Sequence, residues 1–322
     1  MAPSARPSRS RSPNPGSDCF NVKQCAPGQF VTVDDLTTHV VLSHTRGEDG
    51  FGAAPTVVLC GGLASNWFDW DDCVRILAPF HTVVVFDRPG FGLSEPLPDD
   101  RVPTVADEAA RILAVLDTLE LTSPAVIVGH SIAGFYAEAF ARLYPQRTAG
   151  VMLLDSSAER DPWVVLPKPW RVAGAHLLAA VASGSGLQFV LGPTVRRILN
   201  HSVPPDGIPL ETLDWTRRIY RRRSYLKAAL IEDFVYPDMA AELNEIRRRT
   251  RFETAAIVAA AHTGRQTPWG RWWLRKQARL ARYLGAEFAV VDDAHHHAMI
   301  DQPADVSALI VRLVSHHRSI DT

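Results

Sequence analysis

The chain has 322 residues, 46% of them hydrophobic, with 34 Lys and Arg against 35 Asp and Glu for a net charge of −1. That length suits one large domain or a domain carrying an insert, and that apolar share supports a buried core rather than disorder. Balanced charge gives no global electrostatic reason for a nucleic-acid or anionic-membrane partner. No run approaches the roughly eighteen apolar residues of a membrane span.

Residues 1–27 read as a disordered or extended tail. Met1 to Ser17 is rich in Ser, Pro and Arg, and no apolar segment of signal-peptide type follows. The protein is therefore expected to be cytoplasmic. Cys19, Cys25, Cys60 and Cys73 are too few and too scattered for a disulfide framework, so reduced thiols are expected.

From there, short β-branched runs alternate with helical patterns, the signature of a parallel sheet with crossover helices. Gln29 to Val33 and Thr38 to His44 read as an opening pair of strands. Thr56 to Cys60 is apolar enough for a fully buried strand, and Thr82 to Asp87 is the next. A helix carrying Val74, Ile76 and Leu77 lies between them. Val105 to Leu119 has helical spacing, with Ile112, Leu113, Leu116 and Leu119 on one face. Ala125 to Gly129 and Gly150 to Asp155 follow as strands. The alternation then stops, and residues 156–244 show helical patterns and proline-rich turns. Strands resume at Thr254 to Ala261 and Glu287 to Val291, and a helix from about Ala304 closes the chain. The expected fold class is α/β, a mostly parallel central sheet flanked by helices. Its core spans 28–155 and 245–322, and a helical insert occupies 156–244.

The strongest local signal is Val-Ile-Val-Gly129-His130-Ser131-Ile132-Ala133-Gly134, a serine at the junction of a strand and the helix Ile132 to Tyr144. A serine presented above a sheet edge must occupy a sharp turn, and the residues two away on either side must be small. Ala133 stands where glycine is usual. The plainer alternative is a serine capping that helix. A serine nucleophile also needs a base. Candidates are His295, His296 and His297 in the loop after the last strand, and composition alone does not choose among them. Three adjacent imidazoles cannot converge on one ion, so neither metal nor other cofactor is expected.

The acid that would orient the base is less obvious, because the loop after Thr254 to Ala261 holds no carboxylate. Asp155 ends the strand that follows the nucleophile's helix and so lies at the same sheet edge; Asp292 and Asp293 are the alternatives. Donors for a developing oxyanion are expected from the Ile132 amide and from the loop Gly61-Gly62-Leu63, with Leu63 the first choice and Gly62 the second.

These residues together resemble the α/β-hydrolase superfamily. Asp87-Arg-Pro-Gly-Phe-Gly-Leu-Ser94 resembles its D-x-P-G-x-G-x-S turn, and Gly61-Gly62-Leu63 its oxyanion loop with glycine in place of histidine. The resemblance implies that His296, seven residues before Pro303, is the catalytic histidine. It also implies that Asp155, 24 positions past Ser131, is the acid, as in some subfamilies, and that the insert is a helical cap. The implied activity is serine hydrolysis of an ester or related acyl bond in an apolar small molecule. The same groups would serve a C–C hydrolase, acyltransferase or perhydrolase, and a binding protein on a retained fold is the non-enzymatic alternative. Ala175 to Ala182 and Leu187 to Leu191 could line a pocket or pack insert onto core. The basic run Arg217 to Arg223 reads first as a solvated face. Oligomeric state is left open.

Overall fold

The computed structural model describes residues 26–44, 55–159, 166–186 and 201–318, together with Val164 and Phe189. Nearly all of the expected tail lies outside these residues, as do Cys19, Cys25 and most of Leu187 to Leu191.

The apolar runs become eight strands of one sheet. They are β1 (Gln29–Val33), β2 (Leu36–Ser43), β3 (Thr56–Cys60), β4 (Val83–Phe86), β5 (Ala125–His130), β6 (Thr148–Leu154), β7 (Ala256–His262) and β8 (Glu287–Asp292). Asp34 and Asp35 both take positive φ, 50° and 63°, in the two-residue turn that folds β2 back on β1. The order across the sheet is β1-β2-β4-β3-β5-β6-β7-β8. Pairings that involve β1 or β2 are antiparallel, and all others are parallel.

Helices α1 (Asp71–Leu77), α2 (Val105–Thr118) and α3 (Ala133–Leu143) come from the first half of the chain. Between β6 and β7 lie α4 (Lys168–Gly184), α5 (Leu210–Ile219) and α6 (Arg223–Arg249). Helices α7 (Pro268–Leu284), α8 (Ala298–Asp301) and α9 (Pro303–Arg318) complete the fold. Among the described residues no helix is long and apolar enough to cross a membrane.

Alternation along the strands splits the core into two layers. On β5, Ile127 joins Phe135, Phe140, Val235 and Leu280 on one face. Val126 and Val128 join Trp67, Trp70, Met299 and Leu313 on the other. Every residue of β5 is buried, as befits a central parallel strand covered on both sides. Cys60 and Cys73 are buried, unpaired thiols that burial pushes up to about 12, which keeps them protonated.

Helix α6 runs across the expected boundary at 244 because its last turns are tied to the core. Glu138 on α3 accepts from Arg247 Nε at 2.8 Å and Nη2 at 2.6 Å, and from Arg142 Nε at 2.9 Å. Helix α4 packs on α6 and buries Ala175 and Ala179, while Leu177, Leu178 and Val181 face outward. The run Arg217 to Arg223 has mostly exposed side chains. Within it Ile219 and Tyr220 are buried, and Arg222 donates to the Gly92 carbonyl at 2.7 Å.

Among the described residues, Glu138 is the carboxylate that pairs with both buried guanidinium groups, so its removal leaves two cations uncompensated. Glu138→Ala is expected to lower stability by about 3–5 kcal/mol, the usual cost of breaking a buried pair from one side. Chemical denaturation checks this.

Candidate active site

The chain leaves β5 through a turn in which Ser131 takes a φ of +56°. That left-handed conformation is costly for a side chain other than glycine, and it is over-determined by the neighbours. Ser131 N–H donates to the Leu154 carbonyl at 3.1 Å, and the Ser131 carbonyl accepts from Gly134 at 3.0 Å and Ser157 at 3.0 Å. A Cβ on Gly129 would stand 2.3 Å from the Ala133 carbonyl oxygen, and one on Gly134 would stand 1.9 Å from Ser156 Oγ. The methyl of Ala133 is fully buried without such a conflict. The site's demand for two small flanking residues is thus met, with the second strict glycine displaced by one position.

Ser131 Oγ lies 3.0 Å from His296 Nε2. The other nitrogen of that ring, Nδ1, lies 2.6 Å from Asp155 Oδ2. Asp155 is 3% exposed and itself has a positive φ, 42°, at the end of β6. Its second oxygen accepts from the Ala261 amide at 3.0 Å and from Trp273 Nε1 at 2.5 Å. Two hydrogen bonds therefore fix the carboxylate independently of the imidazole, which supplies the third. The alternative acids are elsewhere: Asp292 Oδ1 lies 3.5 Å from His262 Nδ1, and Asp293 contributes its backbone carbonyl to Gln302. His295 faces Asp301, at 3.2 Å.

The loop after β3 approaches from the neighbouring strand. Gly62 abuts the serine so closely that a Cβ there would stand 2.8 Å from Ser131 Cβ. Among the described residues, the amides of Leu63 and Ile132 donate to no protein acceptor. Two unoccupied N–H groups beside a serine hydroxyl can accept an oxyanion as ligand.

Two residues of this constellation escaped the sequence reading. Trp273 shares the face of α7 on which Leu280 and Leu284 are buried, but its indole N–H turns to Asp155. An indole N–H carries no sequence signal for such a long-range bond. His130 precedes Ser131 and did carry a signal by position. Its Nε2 hydrogen-bonds the His296 carbonyl at 2.8 Å, and its ring lies 4.7 Å from His296 and 5.0 Å from His297. Because a carbonyl only accepts, Nε2 carries the proton, and buried Nδ1 is left without a partner among the described residues.

Burial, followed by the neighbouring His296 and His297, lowers the His130 pKa well below its ordinary value of 6.5. The unfolded chain then binds more protons than the native state between those two values. The stability associated with neutral His130 is present above pH 6.5 and is lost as the pH falls from there toward the folded value. Melting temperatures measured from pH 8 down to about pH 5 are expected to fall more steeply for the native protein than for His130→Gln.

The model of the Alpha/beta hydrolase family matches residues 57–309. Over 242 residues the chain is 30% identical to the 2-hydroxy-6-oxononadienedioate/2-hydroxy-6-oxononatrienedioate hydrolase of Paraburkholderia phymatum, covering 72% of this chain and 79% of that one. It is 32% identical over 130 residues to the pimeloyl-[acyl-carrier protein] methyl ester esterase of Vibrio campbellii, covering 40% of this chain and 46% of the relative. Some other matches are shorter still, so the chain spans less than half the length of several curated relatives. A thermophilic esterase from Thermogutta terrifontis shares the fold, with a TM-score of 0.63 and 20% identity over 91% of this chain and 99% of that one. The strand order, the serine turn and the extent of the family match together place this chain in the α/β-hydrolase superfamily.

Proposed function

We propose that the protein hydrolyses an ester or related acyl bond of an apolar small molecule through an acyl-Ser131 intermediate. The observation that carries this reading is the continuous line from Ser131 Oγ through both nitrogens of His296 to Asp155. His296 Nε2 removes the hydroxyl proton as Oγ attacks the carbonyl carbon. The carbonyl oxygen takes the electron pair and is held by the Leu63 and Ile132 amides, with Gly62 the second choice for the loop donor. The tetrahedral species collapses, the C–O bond to the alcohol breaks, and His296 returns the proton to the leaving oxygen. Water then enters, gives its proton to His296 and attacks the acyl carbon, and Ser131 leaves with that proton. No step calls for a cofactor.

We read the helices between β6 and β7 as a cap over this chemistry. A cleft of about 720 Å³ lies between α5 and the core, lined on its apolar side by Phe68, Ile208, Leu213, Met299 and Ile300. Asp69, Asp71 and Asp72 line the same cleft together with His201 and Arg217, and burial, followed by the neighbouring carboxylates, pushes the Asp71 carboxyl up to about 7. The apolar wall, which includes Met299 and Ile300 just after the His296 loop, supports an apolar substrate. The second reading is C–C bond hydrolysis, favoured by the Paraburkholderia phymatum relative.

Ser131→Ala and His296→Ala are each expected to lower kcat by roughly 10⁴-fold or more on small nitrophenyl esters. Full activity in folded Ser131→Ala overturns the assignment. A fluorophosphonate probe should label the native protein at Ser131, as established by mass mapping of the modified peptide. Asp155→Asn should cost about 10⁴-fold. The two donors on Oδ1 force the new amide nitrogen toward His296 Nδ1, which selects the tautomer whose Nε2 is already protonated.

A further inference from the structure

Arg88 lies in the turn after β4, and no step above uses it. Its guanidinium is buried and donates from Nη2 to the Gly62 carbonyl at 2.7 Å and from Nε to the Gly61 carbonyl at 3.2 Å. The outer edge of the same group meets Glu232 on α6, with Nη1 donating to Oε1 and Nη2 to Oε2, the latter at 3.0 Å. Glu232 is 1% exposed and also accepts from Tyr136 Oη at 2.6 Å. The rings of Phe91 and Tyr136 lie 4.8 and 5.2 Å from the guanidinium carbon.

The next part of the loop is held from the same side. The Ala64 carbonyl accepts from the hydroxyls of Tyr220, at 2.9 Å, and Tyr225, both supplied by the segment between β6 and β7. The amide of that same peptide, on Ser65, donates back to the Gly62 carbonyl at 3.2 Å. Two clamps therefore converge on one carbonyl oxygen.

A peptide unit is planar and trans, so its C=O and N–H point in opposite directions. Fixing the Gly62 carbonyl fixes the Leu63 N–H. A buried ion pair is poor evidence for stability, since apolar residues of similar volume often replace one without loss. Apolar side chains cannot donate to two loop carbonyls.

We infer that Arg88 and Glu232 are positioning residues through which the inserted helix α6 aims the Leu63 amide at the developing oxyanion. Helix α6 holds Glu232, Glu232 orients Arg88, and Arg88 sets the peptide plane. This inference rests on the acyl-serine reading above. It implies that displacing α6 loosens the oxyanion loop, even where the Ser131, His296 and Asp155 contacts persist.

The test compares native enzyme with Arg88→Met/Glu232→Met, which removes both charges together and leaves neither buried alone. Labelling of native Ser131 by a fluorophosphonate checks the underlying reading first, and its absence overturns both. With labelled enzyme in hand, the folded double variant should lose about 10–100-fold in kcat on a nitrophenyl ester, with KM changed less than about 3-fold. Inhibition by an arylboronic acid, whose adduct on serine is tetrahedral, should weaken by the same factor as kcat/KM. A purely structural bridge would not couple those two losses. A native-like melting temperature with kcat within about 3-fold, or a loss confined to KM, overturns the inference alone. Should the double variant not fold, Glu232→Gln decides: about 10-fold lower kcat at constant KM supports the coupling, and unchanged kcat overturns it.

Discussion

The site depends on the parallel register that brings β3, β5 and β6 to their carboxyl ends at one level. Cys60 pairs with Gly129, and His130 pairs with Leu154, so the loops that follow these strands start side by side. Gly62, Ser131 and Asp155 are thereby set along one rim, although they are far apart in the chain. Open parallel sheets place their sites at this edge because strands on either side diverge there and leave a crevice. The left-handed backbone at Ser131 is tolerated because three hydrogen bonds around it leave no relaxed alternative.

Burial is graded along the proposed proton path. Asp155 is enclosed and has both oxygens occupied, whereas the His296 side chain is 46% exposed. The carboxylate can therefore be held rigidly while the imidazole still meets solvent and substrate. Trp273 brings the indole donor from α7, and Ala261 brings an amide from β7. A charge fixed in this way costs no reorganisation when the imidazole becomes cationic. His130 supports the same loop from below and stays neutral, so it adds no competing charge under His296.

The helices between β6 and β7 do more than lie beside the core. Arg247 reaches Glu138, Glu232 reaches Arg88, and two tyrosines reach the Ala64 carbonyl. These are buried, charge-assisted or hydroxyl contacts, so the insert is bound by direction as well as by apolar area. Helix α4 behaves differently. It uses alanines against α6 and leaves its larger apolar side chains exposed.

Much of this was legible in the chain itself. β-branched runs and helical periodicity marked every strand of the sheet within a few residues, most sharply in the inner strands β3 to β6, where burial on both faces demands continuous apolar character. The small residues around Ser131 marked the turn, since sterics there act between near neighbours. Other assignments needed the folded state. The histidine triplet was ambiguous by composition, and it was the loop after β8 that turned His296 to Ser131 and His295 to Asp301. Asp155 could be ranked above Asp292 only by its strand position, and strand order is a property of the sheet rather than of any segment. Trp273 and Glu232 carried no signal of their own in the chain, and Arg88 stood only as the variable second position of the Asp87 to Ser94 turn. Their partners are long-range backbone and side-chain atoms, and a linear pattern does not encode which way a single N–H points.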